Sequence, residues 1–468
     1  MKKYKLYKEQ FLGDTFTPVS AYLALRDVFA DCKLLESAEY GKSQYSRSLL
    51  SFNCLESISV KDGVIEKRTN KEIRRVENFS NLAFEIESYL AELKRNIENK
   101  EELNTTCLVG YIGYNSIKYF DTIELNTKED KLEIPDVEFG FYEFNIVFDH
   151  FNSSVNLYHF KHDHSIYDIV DILGFLQNFS ISKNEFMTLT EEKCHDKEST
   201  FIESVEAAKV HCKIGDIFQV VISRKFSQTF MGDDFNVYRN LRQVNPSPYM
   251  FYFDHGNFKL FGSSPEKHVS VSNNKVAINP IAGTIKRTGI DSDDEVRLNK
   301  LIIDPKENAE HDMLIDLARN DLSVFCKNVV VKRKKEVQQF SHVYHLVSEV
   351  EGERKKEAGL FDVIAKSFPA GTLTGAPKYK AMQLLDGFEG HERNFYGGAI
   401  GFIDLENNAN LAIMIRTICV KNNELNYLAG AGITINSNPN YELIEINNKI
   451  NALRKAIQMS NPVINVLV

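Results

Sequence analysis

The sequence contains no tryptophan, and its seven cysteines (Cys32, Cys54, Cys107, Cys194, Cys212, Cys326 and Cys419) are odd in number, scattered and without a CxxC pair. That usage fits reduced thiols in a cytoplasm rather than a disulfide framework or a zinc site. No run approaches the ~18 apolar residues of a membrane span. The start, MKKYKLYKEQFLGD, carries lysines without the apolar segment of a secretory signal. There is no G-x-C-x-G turn of a glutaminase nucleophile and no Walker phosphate loop. Positive charge is in deficit, with 56 Lys and Arg against 65 Asp and Glu, a net charge of −9. A field of that sign repels nucleic acid and anionic membranes, so neither is an expected partner.

What is present is the composition of a soluble globular protein, 43% hydrophobic and 26% charged, which rules out a mostly disordered chain. The 468 residues suit two or three domains of ~150 residues. Two polar stretches, Asp121 to Glu133 and Thr188 to Ser199, read as linkers or exposed loops. The second divides an N-terminal domain, 1–187, from a C-terminal one, 200–468. Beyond it, Thr200–Glu203 and Ser292–Glu295 have capping-box spacing, and Gly215 is placed to stop the first helix. Hairpins are predicted over 249–266, turning at Gly256, and over 268–284, turning at Asn273–Asn274. A helix is expected over Lys306 to Arg319, strands over FYGGAIGFI, LAIMIRTICV and ELNYLAG, and a last helix from Tyr441 to Ile457. Strand clusters joined by hairpins and interspersed with helices predict an α+β fold with large antiparallel sheets.

Several side chains stand out chemically. Glu307-x-x-Glu310 and Glu442-x-x-Glu445 each put two carboxylates on one helix face. Such a pair is either a solvated face or, opposed to a second pair, a set of hard oxygens for Mg²⁺. Gln219 interrupts the apolar IFQVVI, either bonded to backbone or lining a pocket. Arg416 interrupts LAIMIRTICV, and a buried guanidinium needs an anion, either an internal carboxylate or that of a ligand. Glycine-rich turns are read at Ala282-Gly283-Thr284, at GTLTGAPK (371–378), at Tyr396-Gly397-Gly398 and at Gly430-Ala431-Gly432. Glycine there lets backbone approach a ligand. Taken together these features read as a pocket for a small carboxylated ligand with a divalent metal. Glu266 and His345 have the chemistry of a general acid or base, though each taken alone reads as structural.

In order along the chain, GDIFQVVIS, NPSPYMFYF, FGSSPE, PIAGT, ENAEHDMLIDLARNDL, HLVSEVEG, FPAGTLTGAPK, FYGGAIGF, IMIRTICV and AGAGI resemble the chorismate-utilising enzymes, most closely the anthranilate synthase component I group. The match runs from Phe201 to Ile457 and continues less densely through TPVSAYLAL and LLESAEYG. The resemblance implies a β-sandwich core of antiparallel sheets flanked by helices, and the conversion of chorismate and ammonia to anthranilate and pyruvate with Mg²⁺. It further implies that Glu310 and Glu445 ligate the metal, with Glu307 and Glu442 close by. Tyr396 and Arg416 would hold the enolpyruvyl carboxylate, closed over by Gly430, Ala431 and Gly432, while Gly283, Thr284, Thr374 and Lys449 complete the pocket. Glu266 would protonate the departing hydroxyl and His345 would serve pyruvate elimination. Relatives that add water carry a lysine base where this chain has Gln219, and aminodeoxychorismate synthases typically carry PIKGT where this chain has Ala282. Both differences favour anthranilate over the sibling products, and the expected residue type at every polar site position weighs against a catalytically silent subunit of the same fold. The resemblance also implies a separate glutamine amidotransferase subunit in an assembly of two large and two small chains. Feedback inhibition by tryptophan would use Ser37, Pro248, Tyr249 and Met250.

Overall fold

The computed structural model describes residues 3–37, 46–69, 72–98, 107–126, 128, 132–180, 184–339 and 343–462, apart from the side chains of Thr284, Lys286, Asp291, Lys306 and Val343. Among these residues are 23 strands and 11 α-helices, and the ladders between strands are antiparallel. The α+β expectation holds.

Two paired long strands run through both sheets: Arg47–Lys61, of 15 residues, and Val137–Asp149, of 13. A bulge between Cys54 and Glu56, next to Asn53 at φ +61°, separates the two halves of the first. Its leading half continues through Cys32–Glu36, Tyr249–Asp254, Lys259–Ser264, Thr417–Lys421, Glu424–Ile433 and Gln219–Gly232. From the other half of the long pair, a second sheet runs through Cys107–Ile112, Ala399–Asp404, Ala409–Ile413, Lys267–Ser272, Lys275–Ile278 and Val343–Arg354. Strands from before residue 187 thus pair directly with strands from after residue 200 in both sheets.

The chain also crosses between the sheets at two corners. Pro265–Glu266 joins Lys259–Ser264 to Lys267–Ser272, and Met414–Arg416 joins Ala409–Ile413 to Thr417–Lys421. The corners are tied to their neighbours by backbone: Ile413 N donates to Glu266 O at 3.0 Å, and Ser263 N donates to Arg416 O at 3.2 Å. LAIMIRTICV is therefore two strands in two sheets, with Arg416 at φ +50° in the turn between them. A continuous apolar run hides such a corner, because residues on both sides of it are equally buried.

Other local expectations divide by how local their cause is. Gly215 ends its helix at φ +89°, and Asn273 and Asn274 turn their hairpin at φ +50° and +65°, a conformation that asparagine tolerates. Neither capping box forms, since the two helices begin earlier, at Glu198 and Asp291, without side-chain caps. The first is fixed from upstream: Asp196 accepts from Lys225 N at 2.8 Å and lies 3.1 Å from His391 Nδ1. In the second, Asp294 instead accepts from Thr288 N at 2.6 Å. The helix expected to end at Arg319 runs from Pro305 to Phe325. The supposed exposed loop after Thr188 is partly docked, with Lys193–Cys194 paired to Phe226–Ser227. Gly430-Ala431-Gly432 is no turn but regular strand, opposite Ser223, Ile222 and Val221.

Beneath the strand Gln219–Gly232 lies a buried ion pair. Arg393 Nε and Nη2 donate to Glu389 at 2.7 and 2.6 Å, Nη1 donates to Leu373 O at 2.7 Å and Nη2 to Val221 O at 2.6 Å. Glu389 also accepts from Ser223 N and Oγ, each at 2.7 Å. Burial pushes the Glu389 carboxyl up, but Arg393 outweighs it and holds it below the usual carboxylate range. Glu389→Ala strands the guanidinium, and the expected cost is about 3–5 kcal/mol. A urea midpoint unchanged from wild type would refute that expectation.

Candidate active site

The two corners bring Glu266 and Arg416 into mutual electrostatic reach. Burial drives the Glu266 carboxyl up to about 7, against a hydrogen bond from Thr372 and the charges of Lys449 and Arg416. Thr372 Oγ1 donates to Glu266 Oε1 at 2.9 Å. Burial lowers the Arg416 pKa, with Glu266 opposing. Among the described residues its guanidinium takes no hydrogen bond or salt bridge, so a partly buried cation is left for an outside anion.

One wall comes from the second sheet. Gly283, at φ +69°, occupies a register shift in Ile281–Lys286, where a Cβ would lie 2.9 Å from Leu301 Cδ1 and 3.4 Å from Glu307 Oε2. His345 is bonded to Gly283 backbone, and burial, then the Arg416 charge, holds its imidazole down at about 4. It is therefore neutral at physiological pH. The Thr284 side chain lies outside the described residues.

The opposite wall is the strand Glu424–Ile433. A Cβ at Gly430 would sit 3.0 Å from Tyr396 Oη, and one at Gly432 would collide with Gln219 Nε2. A side chain at 432 would displace the Gln219 amide, which crosses over it. That amide donates to Glu310 Oε1 at 2.9 Å. Lys449 Nζ donates to Gly430 O at 2.8 Å and lies 2.7 Å from Glu445 Oε1. Glu310 and Glu445, on the helices Pro305–Phe325 and Pro439–Ser460, thus reach the same strand segment through one side chain each. Among the described residues no three His, Cys, Asp or Glu side chains form a ready-made metal cage. Two carboxylates from two helices still suit Mg²⁺, which takes one or two protein carboxylates and completes its octahedron with water and ligand oxygens. Glu442 is buried, one turn before Glu445.

Thr374 is fully buried and donates to Ala370 O at 3.2 Å. The threonine of this segment that meets Glu266 is Thr372, which the sequence reading did not select. Nothing local distinguishes two threonines in one four-residue helix. Arg393 was missed too. Its guanidinium lies 5.6 Å from the Tyr396 ring centroid as well as on Leu373 and Val221 backbone, so it braces three segments of the chain at once. A cavity of about 900 Å³ elsewhere, between Cys54–Asp62 and His255–Phe258, is lined by none of the expected residues.

Ser37 follows directly on the strand Cys32–Glu36, whose Glu36 is paired with Met250. The two segments expected to bind tryptophan are thereby neighbours, and Tyr249 sits opposite Ser264, two residues from Glu266.

Because the Glu266 pKa is raised on folding, its proton stabilises the native state fully below the unfolded value of 4.5, and this is lost as pH rises through about 7. Glu266→Gln is expected to leave stability unchanged near pH 4 and to raise it by about 3 kcal/mol at pH 8. Denaturation curves at the two pH values check this, and an equal effect at both would overturn the assignment.

A family model for chorismate binding enzymes matches residues 34–455. Anthranilate synthase component 1 of Lactococcus lactis subsp. lactis is 35% identical over 460 residues, covering 96% of this chain and 99% of that protein. Anthranilate synthase component 1 of Aquifex aeolicus is 32% identical over 487 residues, covering 97% and 94%. The crystal structure of anthranilate synthase component I from Streptococcus pneumoniae matches with a TM-score of 0.73 at 30% identity, covering 95% of this chain and 99% of that one. The menaquinone-specific isochorismate synthase from Escherichia coli gives 0.74 at 17% identity, covering 98% and 96%, a likeness of fold alone. Since the matched stretch takes in both corners, both walls and the two acidic helices, this chain belongs to the family of chorismate binding enzymes.

Proposed function

We propose that this chain is the large subunit of a cytoplasmic anthranilate synthase, a carbon–oxygen lyase that aminates chorismate with ammonia and eliminates pyruvate. The observation that carries the reading is Glu266, a buried carboxyl pushed up to about 7 within electrostatic reach of two cations. Loss of a ring hydroxyl needs a proton donor at neutral pH, and a carboxyl with that pKa still holds its proton in about half of the molecules. Arg416 pairs with one substrate carboxylate through its fork of donors, and Tyr396, Gly283, Thr284, Thr374, Lys449 and the Gly430–Gly432 backbone shape the pocket. When bound, Mg²⁺ supplies the positive charge that neutralises the second carboxylate, held by Glu310 and Glu445 with Glu307 and Glu442 close by. His345, neutral at physiological pH, takes the ring proton in the elimination step.

Gln219 and Ala282 narrow the product. A neutral amide engaged with Glu310 supplies no base to activate water, whereas ammonia is its own nucleophile. Alanine at 282 supplies no amine to attack the ring. The ammonia source in this reading is a separate glutamine amidotransferase subunit, in a heterotetramer of two large and two small chains. Tryptophan would bind at Ser37, Pro248, Tyr249 and Met250. Ligand-induced movement of Tyr249 reaches Glu266 through the hairpin Tyr249–Asp254 and Lys259–Ser264.

Purified protein with chorismate, Mg²⁺ and ammonium sulfate at alkaline pH is expected to form anthranilate, followed by its fluorescence. The signal should vanish with a chelator and fall with tryptophan. Aminodeoxychorismate or isochorismate on chromatography instead would refute the product assignment, and no turnover by folded protein would favour a silent regulatory subunit. Ser37→Arg should retain activity while losing tryptophan inhibition. Inhibition undiminished in that variant would remove Ser37 from the effector site.

A further inference from the structure

If Glu266 is the acid of the proposed reaction, on which this inference rests, it must regain a proton at every turnover. The cleft is a poor route for that, because Glu266 is only 8% exposed in the free chain. A cavity of about 30 Å³ adjoins it, bounded by Glu266, His268, Asp321, Ser367, Thr372 and Ala318 among others. That is room for one water, and buried water persists where it finds about three polar partners.

The polar wall is ordered for transfer. Ser367 Oγ donates to Ile364 O at 2.9 Å and lies 3.2 Å from His268 Nε2. The serine proton is thereby committed, so His268 Nε2 carries the imidazole hydrogen and Nδ1 is the acceptor. Burial, then the Lys378 charge, keeps this imidazole neutral, with its pKa down at about 3. At the far end, Lys378 Nζ donates to Asp321 Oδ2 at 2.8 Å and to Ser367 O at 3.0 Å. The Asp321 and Lys378 side chains are each 13% exposed, so this pair meets both the cavity and solvent.

We propose that the cavity is the proton inlet of Glu266: a water lodged among Glu266, His268 and Asp321 passes a proton to the Glu266 carboxylate and recovers one from solvent by way of the Asp321–Lys378 pair. One proton enters for each hydroxyl that leaves as water, and the ammonia nitrogen releases one through the cleft after it bonds to the ring, so no net proton is taken up. No bond to carbon is made in this step, and nothing is oxidised or reduced.

The test separates the first turnover from those that follow, because an enzyme that starts protonated needs no inlet once. Ala318→Val fills the cavity from the helix Pro305–Phe325 without removing a polar group. His268→Gln keeps the wall's bulk and polarity but removes the imidazole, and decides the matter if valine is not tolerated. In rapid mixing with chorismate, Mg²⁺ and ammonium at neutral pH, either variant should give a burst of up to one product per active site at the wild-type rate. A steady state slowed by about tenfold or more should follow, with chorismate KM little changed. Linear progress at the wild-type rate would overturn the inlet, as would equal slowing of first and later turnovers, which is the signature of a merely structural role. If wild-type protein makes no anthranilate, the proposed function fails instead, and that outcome is distinct from both.

Discussion

Arg393 is the contact on which the cleft depends. Four of its five donors go to one carboxylate and two backbone carbonyls, and its flat face rests near two tyrosine rings, Tyr114 at 4.8 Å and Tyr396 at 5.6 Å. Those partners belong to separate parts of the chain: the first strand of one wall, the short helix that carries Thr372, and the loop that carries Tyr396. A lysine in this place would supply the charge but not the geometry. Glu389 exists in this arrangement to make a buried guanidinium affordable, and Ser223 satisfies what remains of that carboxylate.

The same residue type has opposite fates a short way apart. Glu389 and Glu266 are both buried. Glu389 receives a bidentate guanidinium and two further donors from Ser223, and stays ionised. Glu266 receives one hydroxyl and feels Arg416 and Lys449 only at a distance, so burial wins and its pKa rises. A guanidinium in contact, its charge reinforced by direct donors, outweighs burial at Glu389, and the lack of such a contact leaves Glu266 ready to give up a proton.

The crossing of strands between two sheets explains why these groups meet. Glu266 and Arg416 occupy corners where the chain leaves one sheet for the other, so both are anchored on two sides by ladders and tied to adjacent strands by backbone. Rigid elements fix such groups more closely than loops do. The hairpin that ends at the Glu266 corner begins at Tyr249, beside the strand that leads into Ser37, so a single ladder joins the expected effector segment to the acid.

The sequence by itself determined what rests on a few neighbouring residues. The hairpin turns at Gly256 and Asn273–Asn274, the stop at Gly215, the acidic helices and the ordered family segments were all legible, because local φ preference and short-range periodicity are written within a few positions. It also marked Gln219 and Arg416 as chemically out of place, while Glu266 and His345 stood out only through the family resemblance. What only the tertiary structure decided were matters of partnership across the chain. Arg416 lies in a corner rather than a strand, and Thr372 rather than Thr374 meets Glu266. Ser37 follows a strand whose Glu36 pairs with Met250, and Gln219 spends its amide on Glu310, 91 residues away. A side chain's type fixes what it needs when buried, but which donor or acceptor meets that need depends on sheet register and strand crossing, and no local pattern encodes those.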